Sequence, residues 1–154
     1  MVTTVTKLLD DYGIGYTVKE HQNPAFSCEE VAYERNMGLS QILKCMVGKD
    51  GSDNICVMLI PGNKTLKIKK LRKVADGEKI KLISPKELSD AHGLIVGAIS
   101  PMQFLGNAKF FLDRSVVDGD VVDISSGTPY AGVEVKINDL VRVIEPTICD
   151  IASG

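Results

Sequence analysis

Lys44 sits where an apolar side chain would be expected. It interrupts Ile42-Leu43-Lys44-Cys45-Met46-Val47, and strand alternation puts Ile42, Lys44 and Met46 on one face, so an ammonium lies between two apolar neighbours. An edge strand uses such a lysine to blunt pairing; a binding site uses it as a fixed charge. A second stretch, Gly97-Ala98-Ile99-Ser100-Pro101, follows the apolar run Leu94-Ile95-Val96. A strand that ends in Gly-x-x-x-Pro presents bare backbone, because glycine permits close approach and proline stiffens the exit. Such a loop can read a ligand with main-chain groups, although glycine and proline at a strand end also mark an ordinary turn. The third feature is electrostatic. Lys64, Lys67, Lys69, Lys70, Arg72 and Lys73 follow one another without an acid, in a chain whose formal net charge is −2. The overall charge argues against a protein that coats nucleic acid, yet a local basic face can still meet phosphate. Its plain alternative is a solvated helix face.

Other chemistries have less to build on. Ser100 and Ser126 stand in no Gly-x-Ser-x-Gly elbow, and neither has a histidine near it in sequence. Cys28, Cys45, Cys56 and Cys149 form no Cys-x-x-Cys pair, so free thiols acting as small hydrophobes are expected. A thiol nucleophile at Cys45 or Cys28, with His21 or His92 as base, is the rival mechanism, and it requires a thiolate stabilised by positive charge. With two histidines in the chain, no metal site is expected. No glycine-rich loop follows a strand in a dinucleotide or phosphate-binding pattern, so no nucleotide cofactor is expected either.

The elements that must position these residues follow from punctuation and period. Thr3 or Thr4 caps a helix to about Asp11, with Val5, Leu8 and Leu9 as its stripe, and Gly13 ends it. Tyr16 to Glu20 alternates as a strand, and Ser27 with Glu30 forms a capping box for a helix ending near Gly38. Strands are expected over 42–47 and 55–60 as a hairpin, then a basic helix with Leu66, Leu71 and Val74 inward, then strand 79–83. Ser84-Pro85-Lys86-Glu87 opens a helix that stops at Gly93. Strands over 94–99, 109–112, 121–124 and 133–137 follow, and Asn138 caps a last helix to Ile144. Asp113 is expected to cap the turn into Arg114-Ser115. The sum is an α+β fold, a mixed and mostly antiparallel sheet or partly closed barrel with about five helices around it. With 44% hydrophobic residues and no linker or repeat, one domain over 1–154 is expected. No run approaches the roughly 18 apolar residues of a membrane span, and no secretory leader is legible, so a cytoplasmic location is expected.

Taken in order, these motifs resemble the YbaK and prolyl-tRNA synthetase-associated family, free-standing relatives of the editing domain inserted in bacterial prolyl-tRNA synthetase. Leu43-Lys44-Cys45-Met46 occupies the place of the family's lysine, and Pro61-Gly62-Asn63-Lys64-Thr65-Leu66-Lys67-Ile68-Lys69-Lys70-Leu71 resembles its Pro-Gly-x-x-x-Leu-x-x-x-Lys-Leu segment. Val96 to Pro101 looks like its Gly-x-x-x-Pro loop, Leu112-Asp113 like its strand ending in aspartate, and Ser125-Ser126-Gly127 like its second glycine loop. The resemblance implies an aminoacyl-tRNA deacylase that hydrolyses the ester of a wrong, small amino acid such as cysteine or alanine, mostly on tRNA for proline. It implies no cofactor. Lys44, Gly97, Ala98, Ile99, Ser100 and Pro101 would form the catalytic set, Ser126 and Gly127 would close the substrate side, and Lys64, Lys67, Lys69, Lys70 and Lys73 would meet tRNA. A prolyl-tRNA synthetase is the implied protein partner, and a non-catalytic module binding tRNA or a synthetase is the alternative. The chain departs from the family at Cys45, where threonine is common, and at Thr128-Pro129-Tyr130, where a basic side chain is common. It also lacks a histidine after His92. The changes in the second loop bear on the amino-acid pocket, hence on substrate identity more than on reaction type.

Overall fold

A computed structural model describes residues 1–75, 77–95 and 97–154. Helix α1 (Thr4–Asp11) starts where Thr3 and Thr6 cap each other reciprocally, and it buries Val5 and Leu9. Strand β1 (Tyr16–Glu20) leads to α2 (Cys28–Arg35), whose capping box joins Ser27 to Glu30 as the spacing predicts. This helix ends earlier than Gly38. Asn36 takes the left-handed conformation at φ 52°, which its short polar side chain tolerates, and Gly38 instead opens a 3₁₀ turn over Leu39–Gln41. Strands β2 (Leu43–Lys49) and β3 (Ile55–Pro61) form the expected hairpin, closed by the Asp50 carboxylate accepting from Ser52 N and Asn54 N, both at 2.9 Å.

After β3 the chain departs from expectation in places. Leu66 belongs to a two-residue strand, β4 (Thr65–Leu66), and the basic helix α3 (Ile68–Val74) begins only after it. Of the strand expected over 79–83, only β5 (Lys81–Leu82) pairs. Helix α4 (Pro85–His92) has its serine cap, its proline in the first turn and Gly93 at its C-cap, as read from sequence. The strand expected over 94–99 is absent among its described residues; Val96 lies outside them. Gly97 at φ 81° and a bond from Ala98 N to Ile95 O at 2.9 Å bend the segment into a turn, in which Leu94, Ala98 and Ile99 serve packing while Ile95 is exposed. A 3₁₀ turn (Pro101–Phe104) leads into β6 (Ala108–Asp113), then α5 (Arg114–Val117) capped by Asp113. Strands β7 (Val121–Ser125) and β8 (Ala131–Lys136) precede α6 (Ile137–Ile144), which starts at Lys136 without a side-chain cap; Asn138 is already inside it. Two further strands, β9 (Thr147–Cys149) and β10 (Ala152–Ser153), carry no alternation long enough to be read.

The strands form a five-stranded sheet, β5-β2-β3-β6-β9, a three-stranded sheet, β1-β8-β7, and the pair β10-β4. Among the described residues β3–β6 and β6–β9 run parallel and the other pairings antiparallel, so the mixed, mostly antiparallel α+β reading holds; no sheet closes into a barrel. Strand β3 is apolar throughout because both faces are covered. Val57 and Leu59 face the main core with α1, α6 and the smaller sheet, while Cys56, Met58 and Ile60 face Leu71 of α3 and Ile151. Asp113 pins the C-terminal segment: its Oδ1 accepts from Ile151 N and Ala152 N, both at 3.0 Å. Burial alone would raise this carboxyl, but those bonds and the ones from Ser115 outweigh it and hold it below its ordinary value. The bridge that matters for function is Ile42 to Asp123, which brings β7 against the start of β2.

Candidate active site

Where β7 meets β2, a cavity of about 170 Å³ opens. The chain from Phe26 through α2 supplies one wall with Cys28, Val31 and Arg35, the entry to β2 supplies Ile42 to Cys45, and β7 supplies Asp123 and Ser125. Pro85, Gly97 and Ile99 close the rim. Three long-range elements therefore converge on Lys44. Its register partner across the hairpin is Ile60, and its Nζ donates to Lys64 O at 3.1 Å, leaving two of three donors for a ligand. The tether fixes the ammonium at the cavity. It also gives Lys64 a role in its carbonyl, which the charge of its side chain did not suggest.

The expected catalytic loop divides in two. Gly97 and Ile99 border the cavity, whereas Ala98, Ser100 and Pro101 are buried. Ser100 Oγ accepts from Met102 N at 3.4 Å and Ser100 N donates to Gln103 Oε1 at 2.8 Å, so this serine builds the 3₁₀ turn. The missing Cβ of Gly97 faces Phe26, whose nearest atom would lie 3.1 Å from it, and φ 81° independently favours glycine. A larger residue at 97 would therefore displace the Phe26 wall and strain the turn, a different reason for glycine from the close approach of a ligand that the sequence suggested.

Ser126 and Gly127 also lie off the cavity. Ser126 is fully buried and donates to Ala131 O at 2.6 Å, and Gly127 turns at φ 95° beside Gln103 and Val5; the cavity is bordered by Ser125 instead. In the basic segment Lys67, Lys69 and Lys73 are exposed. Lys70 is drawn to the C-terminal segment, 2.9 Å from Asp150. The thiols beside the cavity are poor nucleophiles. Burial pushes Cys45 up to about 12, and burial also raises Cys28 despite the Lys44 ammonium nearby, so neither is a thiolate at neutral pH.

Sequence reasoning missed the cavity's deepest groups. Arg35 and Asp123 are 5% and 2% exposed and form an ion pair, Nη1 to Oδ2, at 2.6 Å. Burial pushes the Asp123 carboxyl up to about 6, against the opposing pull of Arg35. The strand period gives no such signal as at Lys44, because Asp123 shares its face with Val121 and the polar Ser125.

Fold and cavity together define a small α+β domain that offers a ligand one lysine, exposed backbone at a glycine turn and a polar floor. Residues 22–143 match the family model described as the aminoacyl-tRNA editing domain, and the chain belongs to that family. It is similar to EbsC of Enterococcus faecalis, provisionally named a Cys-tRNA(Pro)/Cys-tRNA(Cys) deacylase: 25% identity, covering 81% of this chain and 77% of that protein. It is equally similar to ProXp-y of Escherichia coli K12, named a multifunctional Ser/Thr-tRNA deacylase: 25% identity, covering 92% and 86%. A crystal structure provisionally described as a trans-editing enzyme for prolyl-tRNA synthetase shares the fold, with TM-score 0.83 and 20% identity over all of both chains. Among the described residues no helix is long and apolar enough to cross a membrane.

Proposed function

We propose that this chain, as a single editing domain over residues 1–154, hydrolyses the ester between a small amino acid and the terminal adenosine of tRNA. The observation that carries this reading is the meeting of Lys44 with the Gly97 turn at one small cavity. An aminoacyl ester is already activated, so orienting water and holding the carbonyl supplies most of the catalysis without a covalent intermediate. Lys44 acts as a tethered point charge on a phosphate or carbonyl oxygen of the substrate, and backbone groups of the Gly97 to Ile99 turn border the ester. The exposed lysines of α3 and its approach, Lys67, Lys69 and Lys73, meet tRNA phosphates. We place the reaction in the cytoplasm on tRNA for proline, with a prolyl-tRNA synthetase as the partner that mischarges it; the name of EbsC, which includes Cys-tRNA(Pro), supports the choice of tRNA.

The test is a deacylation panel with tRNA for proline charged with cysteine, alanine, serine or proline. The small residues are expected to be removed and proline spared, in line with the cysteine, serine and threonine named for the relatives. Retention of charged tRNA on a filter with no ester hydrolysed above the buffer rate would instead make the domain a binding module. A companion measurement separates the thiol mechanism. Cys28→Ser and Cys45→Ala variants are expected to retain deacylation, because neither thiol ionises near neutral pH; loss of turnover in a folded single variant would restore the thiol as nucleophile.

A further inference from the structure

An apolar slot beside the active cavity has no part in the hydrolysis described above. It measures about 360 Å³ and is walled by Met46, Leu82, Ile83, Pro85, Leu88 and Ile99. Cys45, Pro85 and Ile99 border both this slot and the Lys44 cavity, so the two spaces are neighbours. Leu82 is 44% exposed here although it lies in a paired strand, and Pro85 is exposed as well. An apolar wall left open to water at the edge of a polar site fits a flat, largely apolar part of a ligand.

Sheet register supplies the polar half of the slot. Ile83 N donates to Val47 O at 2.8 Å on the β5 side of β2, whereas Ile42 O accepts from Gly62 N at 2.8 Å on the β3 side. Alternation along an antiparallel strand therefore turns the main-chain groups of Cys45, like those of Val47, away from β3. Strand β5 does not meet them. Continued from Gly48 opposite Leu82, the register sets Cys45 opposite Pro85, which has no N–H and already opens α4. Among the described residues, no backbone group outside the strand ladder bonds Cys45 N–H or C=O.

One residue thus offers a donor and an acceptor side by side on an open sheet edge, between the slot and the catalytic cavity. The Watson–Crick edge of adenine answers that pair as a strand partner would, its ring N1 accepting and its exocyclic amine donating. Guanine, hypoxanthine and uracil carry an N–H where adenine N1 accepts. We propose that the slot is the subsite for the base of the substrate's terminal adenosine, read by Cys45 N–H and C=O and packed among the apolar walls, while the ester lies in the Lys44 cavity. Readout by main chain leaves the side chain at 45 without a role in binding, in keeping with the activity expected of Cys45→Ala. This inference rests on the deacylase reading.

The test compares one tRNA ending in adenosine, inosine or 7-deazaadenosine, each charged with an amino acid that the deacylation panel finds removed. Inosine sets N–H against N–H and carbonyl against carbonyl at Cys45, so kcat/KM is expected to fall about 10- to 100-fold. 7-Deazaadenosine keeps N1 and the amine and should match adenosine. Equal rates on the adenosine and inosine esters would overturn the inference and leave the deacylase reading intact. A fall with 7-deazaadenosine as large as that with inosine would overturn it too, because the base would then be read through N7. On the protein side, Leu82→Glu places a carboxylate in the slot at an exposed position that the fold should tolerate, and it is expected to raise KM for the adenosine ester with kcat little changed. An unchanged KM in that folded variant would put the base elsewhere and overturn the assignment. If no aminoacyl ester on the adenosine-ending tRNA is hydrolysed, both readings fall. The comparison of bases decides the matter even if Leu82→Glu does not fold.

Discussion

Replacing Lys44 by methionine is expected to lower kcat/KM for deacylation about 30- to 150-fold and to leave the folded state intact. Methionine keeps an unbranched apolar stem against the Ile60 neighbour and removes only the charge and its donors. Loss of a charge-assisted contact made in the transition state costs about 2 to 3 kcal/mol, which is the stated factor in rate. The fold should survive because the bond that Lys44 makes, to Lys64 O, joins a half-buried side chain to a turn that water can reach. Circular dichroism and thermal melting would establish the fold, and a single-turnover deacylation assay the rate. Wild-type turnover in a folded Lys44→Met protein would remove the lysine from the mechanism. A change in KM alone would turn it into a tRNA-binding residue.

Lys44 was legible because a strand's two-residue period makes a charge on an apolar face conspicuous. The same period does not expose Asp123: its face neighbours are Val121 and Ser125, while the buried Val122 and Ile124 point the other way, so the segment reads as ordinary alternation. Nor could sequence show its partner. Arg35 lies on α2, where a cation in the last turn is ordinary, and its partner stands 88 residues along the chain, reached only through the tertiary fold. Local punctuation predicted well where the signal was a side chain answering a nearby backbone group, as at Thr3, Ser27, Ser84 and Asp113. It failed where apolar content had two uses. Leu94 and Ile95 look like a strand, yet beside the Gly97 turn Leu94 packs against the core while Ile95 is exposed, and the short strands β9 and β10 pair with the edges that β6 and β4 offer. Of the glycine loops that carry the family resemblance, the first borders the cavity through Gly97 and Ile99. The second closes on itself through Ser126 and reaches the cavity one residue earlier, at Ser125.

The change expected to damage the fold most is Gly132→Ala. Gly132 sits in β8 with an ordinary strand backbone, so alanine meets no conformational penalty there and would, on propensity alone, gain about 0.5 to 1 kcal/mol. Sterics reverse that sign. A Cβ at 132 would overlap both the Arg35 guanidinium and the Asp123 carboxylate, groups that can move aside only by giving up their bonds to each other, to the Ala131 carbonyl and to His21. Parting a buried ion pair costs about 3 to 5 kcal/mol, because each charge is left without its partner in a desolvated site. For a chain of this size that loss corresponds to a fall in Tm of roughly 6 to 20 °C. Gly119→Ala serves as the comparison, since its Cβ would meet only Val116 O at an ordinary 3.5 Å, and it should melt close to wild type. The cause can be separated from a general sensitivity of β8 by a double-mutant cycle. In a background already carrying Arg35→Leu and Asp123→Leu, the added Gly132→Ala should cost far less, because the groups it strikes are gone. If alanine at 132 destabilised both backgrounds equally, the ion pair would not be what requires glycine at this position.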